Sequence, residues 1–170
     1  MIKYLPDRVS IVLEEIPDRV SVAVDITNCP ENCPGCHSPF LREDIGEELT
    51  FERIDSLISD NFGVNCFLLL GEGRDHQALV RIGKYISEKY PGIAPALYSG
   101  RNQVEDDIWQ VFDYVKLGPY VEKKGPLNER TTNQRLYHVH SVISAGAGGS
   151  AAIRRVKEDI TPVIWRRKKD

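Results

Sequence analysis

The 170-residue chain has no apolar run near the ~20 residues that a membrane-spanning helix needs, so no transmembrane segment is expected. Neither sign of charge dominates. Lys and Arg number 22 against 25 Asp and Glu, a formal net charge of −3, which gives no support to a nucleic-acid-binding or membrane-surface protein. The first residues carry Lys3, Pro6, Asp7 and Arg8 where a signal peptide needs an apolar stretch, so a soluble, cytoplasmic protein is expected. There is no internal repeat, and 41% apolar with 28% charged residues excludes wholesale disorder. One domain is expected at this length. It buries roughly 70% of its unfolded surface and needs neither disulfide nor metal merely to be stable. Cysteine is scarce, with four in the chain, yet Cys29, Cys33 and Cys36 fall within eight residues, and only Cys66 lies elsewhere.

What is present alternates. Ser10 to Leu13 and Val20 to Ile26 are β-rich, the second with period two, and Pro17-Asp18 supplies a turn between them. The cysteine segment follows, where Pro30, Pro34, Gly35 and Pro39 bar regular structure, so it is expected to be a loop at a strand's C-terminal end. Thr50 is a candidate N-cap for a helix carrying Phe51, Ile54, Leu57 and Ile58. Val64 to Leu70 reads as a parallel strand buried on both faces. Asp75 caps a second expected helix with Ala78, Leu79, Ile82 and Ile86 inward, stopped by Pro91-Gly92. Ile93 to Tyr98 reads as a strand despite Pro95, Val104 to Phe112 as a helix with Trp109 in the core, and Tyr114 to Leu117 as a strand.

This order predicts an α/β fold, a parallel sheet with helical crossovers. The chain is short of the ~250 residues of a complete eight-fold barrel, so a partial, open parallel β/α barrel is expected. Its site belongs at the C-terminal strand ends, where the cysteine loop, Gly71-Glu72-Gly73, Ser99-Gly100 and Gly118-Pro119 converge. Residues 141–152 are rich in Gly, Ala and Ser and read as a flexible insert. From Arg154 onward the chain is basic, read as a solvated tail or, alternatively, as a docking patch anchored by Trp165.

Clustered thiols in a reducing compartment are metal ligands or redox groups more often than disulfides. Cys29-x3-Cys33-x2-Cys36 admits four readings. Structural zinc needs a fourth ligand, for which only His37 or Cys66 is at hand. A c-type haem would use Cys33-Pro-Gly-Cys36-His37 but leaves Cys29 idle. A thioredoxin-like dithiol should open a helix, and Pro39 stands close behind. A four-iron cluster held by three thiolates leaves one iron open to a substrate.

The three-cysteine spacing after an early strand resembles radical S-adenosylmethionine enzymes. Cys33-Pro-Gly-Cys36-His37, the segment from Asp113 to Tyr120, the run Thr131-Thr-Asn-Gln-Arg-Leu-Tyr137 and the closing Asp159-Ile-Thr to Trp165-Arg-Arg resemble the small activating proteins of anaerobic ribonucleoside-triphosphate reductase. The resemblance implies a 4Fe-4S cluster on Cys29, Cys33 and Cys36. It implies reductive cleavage of S-adenosylmethionine to a 5′-deoxyadenosyl radical and formation of a glycyl radical on the partner reductase. An external one-electron donor, such as a flavodoxin or ferredoxin, would supply the electron. Gly35, Cys36 and His37 would lie against the adenine, and Ser99 near the ribose. That family usually has Gly-Gly-Asp or Gly-Gly-Glu at the next strand end. Here the segment is Leu70-Gly71-Glu72-Gly73, which leaves Gly71 and Glu72 for the methionine amino group. The alternatives are a radical enzyme acting on another glycyl-radical enzyme or a small metabolite, and a zinc-binding module without activity. Cys66 is expected in the core, and His76, His138 and His140 at the surface.

Overall fold

The computed structural model describes residues 1–145 and 151–167. Nine strands and four α-helices are found there: β1 (Lys3–Tyr4), β2 (Ser10–Val12), β3 (Ser21–Asp25), β4 (Glu47–Glu48), α1 (Phe51–Ser59), β5 (Cys66–Leu70), α2 (His76–Lys89), β6 (Ala94–Tyr98), α3 (Asp106–Val111), β7 (Tyr114–Leu117), β8 (Arg135–Ala145), β9 (Ala151–Asp159) and α4 (Thr161–Arg167). Seven strands form one mixed sheet in the order β2-β3-β5-β6-β7-β8-β9, and β1 pairs with β4 in a separate two-stranded ladder. No helix among the described residues is long and apolar enough to cross a membrane.

The expected parallel sheet is therefore its centre only. β3, β5, β6 and β7 are parallel, while β2 and the β8–β9 hairpin add antiparallel edges. Each parallel crossover steps to the adjacent position in the same direction, so crossovers of one hand put α1, α2 and α3 on one face. Strand side chains divide accordingly. Val22, Val24, Phe67, Leu69, Leu97 and Val115 pack against Ile54, Leu79, Ile82, Ile86 and Ile108 of the helices. The other parity, Ala23, Cys66, Leu68, Ala96, Tyr114 and Leu136, packs against Ile16, Leu127, Ile160 and, from α4, Ile164.

Local signals explain the helix starts. The Thr50 side chain accepts the Arg53 N–H at 3.2 Å, and Asp75 accepts the Ala78 N–H at 2.9 Å. Pro95 sits within β6 without losing a ladder bond. Its carbonyl accepts Asp113 N–H at 2.9 Å, so its nitrogen also faces the β7 side, and β7 pairing begins one residue later at Ala96↔Tyr114.

Two expectations fail near the C-terminus. Of the supposed flexible insert, residues 141–145 belong to β8 and 151–152 to β9, while residues 146–150 lie outside the described residues. Val142, Ile143 and Ile153 are β-formers embedded among small residues, and paired in register they extend a hairpin rather than a linker. The basic segment is likewise structured. Arg154, Arg155 and Lys157 are in β9, and α4 follows. Trp165 donates its indole N–H to the Leu127 carbonyl at 3.2 Å, so it is anchored within its own chain. The end of the basic tail, residues 168–170, lies outside the described residues.

Candidate functional site

Parallel strands share a direction, so the loops after β3, β5, β6 and β7 leave from one end of the sheet. The cysteine loop is the largest of them and is buckled at its base. Asn28, at φ 58°, turns the chain out of β3, a conformation that Asn tolerates better than most residues. Asn28 N–H then donates to the Glu43 carbonyl and Cys29 N–H to the Leu41 carbonyl, both at 2.9 Å. Arg42 donates to the Cys33 carbonyl at 3.1 Å and Arg74 to the Asn28 side chain at 2.9 Å. Between these ties, Gly35 at φ 75° permits the turn in which Cys36 N–H reaches the Cys33 carbonyl at 3.2 Å.

Cys29, Cys33 and Cys36 are half-buried free thiols. Burial pushes the Cys29 thiol up, and the neighbouring Cys33 and Cys36 add to the rise. Metal binding would reverse this by stabilising the thiolate. Cys66 is different. It opens β5 at the opposite end of the strand from the loops, is fully buried, and burial pushes its thiol up to about 11.

The other strand-end loops pack around the cysteine loop. A side-chain carbon at Gly100 would stand 2.8 Å from Glu31 Cγ, so the cysteine loop closes directly over the Ser99-Gly100 turn. Beyond β7, Tyr120 brings its ring to 5.1 Å from that of the exposed His37. Gly71, at φ 118°, lets the chain leave β5 against the Ile26 carbonyl. Ser99 is fully buried, its Oγ accepting the Arg101 N–H at 3.0 Å, so its hydroxyl serves the turn.

Glu72 is buried but not a free carboxylate. Arg101 grips it from two nitrogens, Nε at 2.7 Å and Nη2 at 3.2 Å, and also holds Glu105 at 2.7 and 2.9 Å. The guanidinium keeps the Glu105 carboxyl down at about 2. An open cavity of about 320 Å³ lies beside this triad, walled by Pro30, Glu31, Gly73 and Arg74. A ligand ammonium arriving at Glu72 would compete with Arg101, a consequence that the Gly71-Glu72-Gly73 pattern alone did not announce.

The residue that sequence reasoning passed over is Lys116. Its signal was a lone cation in the apolar strand Tyr114–Leu117, at the parity that faces away from the helices. It is buried on the side opposite α1, α2 and α3, its ammonium donating to the Gly118 carbonyl at 3.0 Å and lying 5.5 Å from the Tyr98 ring centre. Burial lowers its pKa to about 8, partly offset by the negative charges of Cys33, Cys29 and Glu72. A buried cation therefore lies at the same end of β7 as the strand-end loops.

Among the described residues, the set that brings three ligand atoms within 4.8 Å of one another is His138, His140 and Glu158, not the cysteines. His76, expected at the surface, is partly exposed and bonded to Asp107 at 2.8 Å. His138 and His140, also expected at the surface, are half-buried on the hairpin. No family model, curated protein or solved structure matches this chain, so its function is argued from the geometry of its own residues.

Proposed function

We propose that the chain is an iron–sulfur enzyme of the radical S-adenosylmethionine kind that installs a glycyl radical on an anaerobic ribonucleoside-triphosphate reductase. The observation that carries the reading is the loop at the end of the parallel strands that gathers Cys29, Cys33 and Cys36 as half-buried free thiols, with the buried Lys116 at the same end of β7. In this reading the sheet is one side of a partial, open barrel. Cys29, Cys33 and Cys36 would hold a 4Fe-4S cluster, with one iron left for the amino and carboxylate groups of S-adenosylmethionine. When bound and reduced, that group would supply the one electron that cleaves the cosubstrate to methionine and a 5′-deoxyadenosyl radical, the species that would take a hydrogen atom from a reductase glycine.

The chain's own residues do the rest. Asn28, Arg42 and Arg74 fix the shape of the loop. Lys116 balances its negative charge in a water-poor setting. Gly35 leaves backbone exposed for a flat base to approach. Arg101 holds Glu72 at the rim of the cavity. On the face opposite α1, α2 and α3 lies a cavity of about 480 Å³, bordered by Glu15, Tyr98, Leu127 and Ile164 of α4. A protein loop would enter there, on the face opposite α1, α2 and α3, beside α4. A reducing cytoplasm and an external flavodoxin- or ferredoxin-type donor go with this chemistry.

Anoxic reconstitution followed by iron and sulfide analysis tests the cofactor, with about four of each expected per chain. Cys33→Ala should lose both, and Cys66→Ala should keep both while losing stability. Zinc bound without sulfide, or iron lost on Cys66→Ala, would overturn the assignment. Reduction with S-adenosylmethionine and the reductase should then give a glycyl-radical doublet by electron paramagnetic resonance. Formation of 5′-deoxyadenosine without that doublet would reject the reductase and leave another glycyl-radical enzyme or a metabolite as substrate.

A further inference from the structure

A second cluster of ligand-type side chains lies at the root of the β8–β9 hairpin, away from the cysteine loop. His138 and His140 are two residues apart on β8, so both project from the same face of the sheet. Glu158 of β9 stands directly opposite His138 in the ladder and projects the same way. The register brings one ligand atom from each of the three within 4.8 Å of the others. The His138 ring is already oriented, stacked on Tyr114 with centres 4.6 Å apart and planes 10° from parallel. Tyr114 in turn is held by Arg19 through its hydroxyl at 3.2 Å.

One atom of this cluster lacks a partner. His140 Nδ1 is buried and makes no hydrogen bond among the described residues. Buried ring nitrogens are nearly always paired, and a metal ion is a partner that an unprotonated imidazole nitrogen accepts. We propose that His138, His140 and Glu158 bind one divalent zinc-type ion, with a remaining coordination position open to water. Two imidazoles and a carboxylate form a donor set that zinc uses in open sites, and imidazole selects zinc, copper or nickel over the oxygen-preferring calcium and magnesium. Glu158 is exposed and swings inward without disturbing a packed core. The ion ties β9 to β8 beyond the last parallel strand, where the hairpin has no further neighbour in the sheet.

This site is independent of the cysteine assignment. His138 is aligned with Tyr114, at the start of β7, whereas the cysteine loop packs at the far end beyond Lys116. The test is anoxic titration of the full chain with zinc and, in parallel, with cobalt(II) as an optical probe. The Cys29→Ser/Cys33→Ser/Cys36→Ser variant should still take about one ion per chain. Its cobalt spectrum should show weak visible bands without the near-ultraviolet band of thiolate ligation. In that same background His140→Ala should abolish binding, and Glu158→Gln, at an exposed position, should weaken it at least about tenfold. Zinc should also raise the unfolding temperature of the triple-serine chain but not that of its His140→Ala derivative. If the triple-serine chain binds no zinc, or if Glu158→Gln and His140→Ala bind it as tightly as their parent, the proposal is wrong. Should His140→Ala fail to fold, Glu158→Gln alone decides.

Discussion

Residues 21–117 and residues 135–159 build one sheet under opposite rules. In the first region, parallel strands are reached by helical crossovers, so most of their residues are buried on both faces. Little strand surface is left for chemistry, and the reactive groups sit in the loops at the strand ends, where Cys29, Cys33 and Cys36 gather. In the second region, an antiparallel hairpin covers the sheet edge with its root and leaves the rest of both faces open. There the ligand-type groups, His138, His140 and Glu158, project from the strands themselves, and the register rather than a loop brings them together. Loops place groups by conformation, ladders place them by pairing. The two kinds of site therefore break in different ways.

The largest contrast is in stability. Phe67 of β5 is fully buried against the helices. Phe67→Ala should cost about 3–5 kcal/mol through lost transfer energy and the cavity left behind, read as the midpoint shift in urea unfolding. Arg155 in β9 bonds the Trp109 and Phe112 carbonyls at 3.0 and 2.8 Å but remains part-exposed, with water as an alternative partner. Arg155→Met should cost about 1 kcal/mol. Equal losses would mean that the hairpin, not the crossover core, limits unfolding.

That contrast also separates what was legible in the residues from what was not. The crossover region announced itself. Thr50 and Asp75 mark helix starts, Val22 and Val24 alternate with Ser21 and Ala23, and Phe67 to Leu70 form a continuous apolar run. These are local signals, and they agree with the tertiary result. The hairpin did not, because Ser141, Ser144, Ala145, Ala151 and Ala152 read as linker until their partners across the ladder are known. Pairing is non-local and leaves no periodic trace in residues this small. The cysteine loop was legible from spacing alone. Lys116 was hidden inside a short strand, and the grip of Arg101 on Glu72 joins residues 29 apart that no motif links.

The Glu72–Arg101–Glu105 triad sharpens the comparison at the loop end. Arg101→Met leaves the Glu72 carboxylate buried without its partner and should cost about 2 kcal/mol, less than a wholly buried pair because Arg101 is one-third exposed. Pairing holds the Glu105 carboxyl at about 2, below its ordinary 4.5. Its folded value is depressed, so its contribution is complete above pH 4.5 and disappears as the pH falls toward 2. The unfolding midpoint of the native chain should drop through this window more steeply than that of Glu105→Gln. High salt should shrink the difference, because Glu105 is half-exposed. Parallel pH profiles would mean that the ion pair does not persist in solution.

The smallest effect is expected at the outer half of the hairpin. Ile143 and Ile153 are directly paired across the ladder, 77% and 74% exposed. Exposed residues bury little on folding, so Ile143→Thr should change stability by under about 0.5 kcal/mol. Thr retains the branched side chain that suits a strand, so a larger effect cannot come from backbone preference. A double-mutant cycle with Ile153→Thr isolates the cross-strand contact, expected at about 0.2–0.5 kcal/mol for a solvated apolar pair. A loss above about 1.5 kcal/mol from Ile143→Thr alone, growing with protein concentration, would require these side chains to be covered in solution by another molecule. The hairpin would then be an interface rather than an open edge, and its contrast with the crossover core would hold for the isolated chain alone.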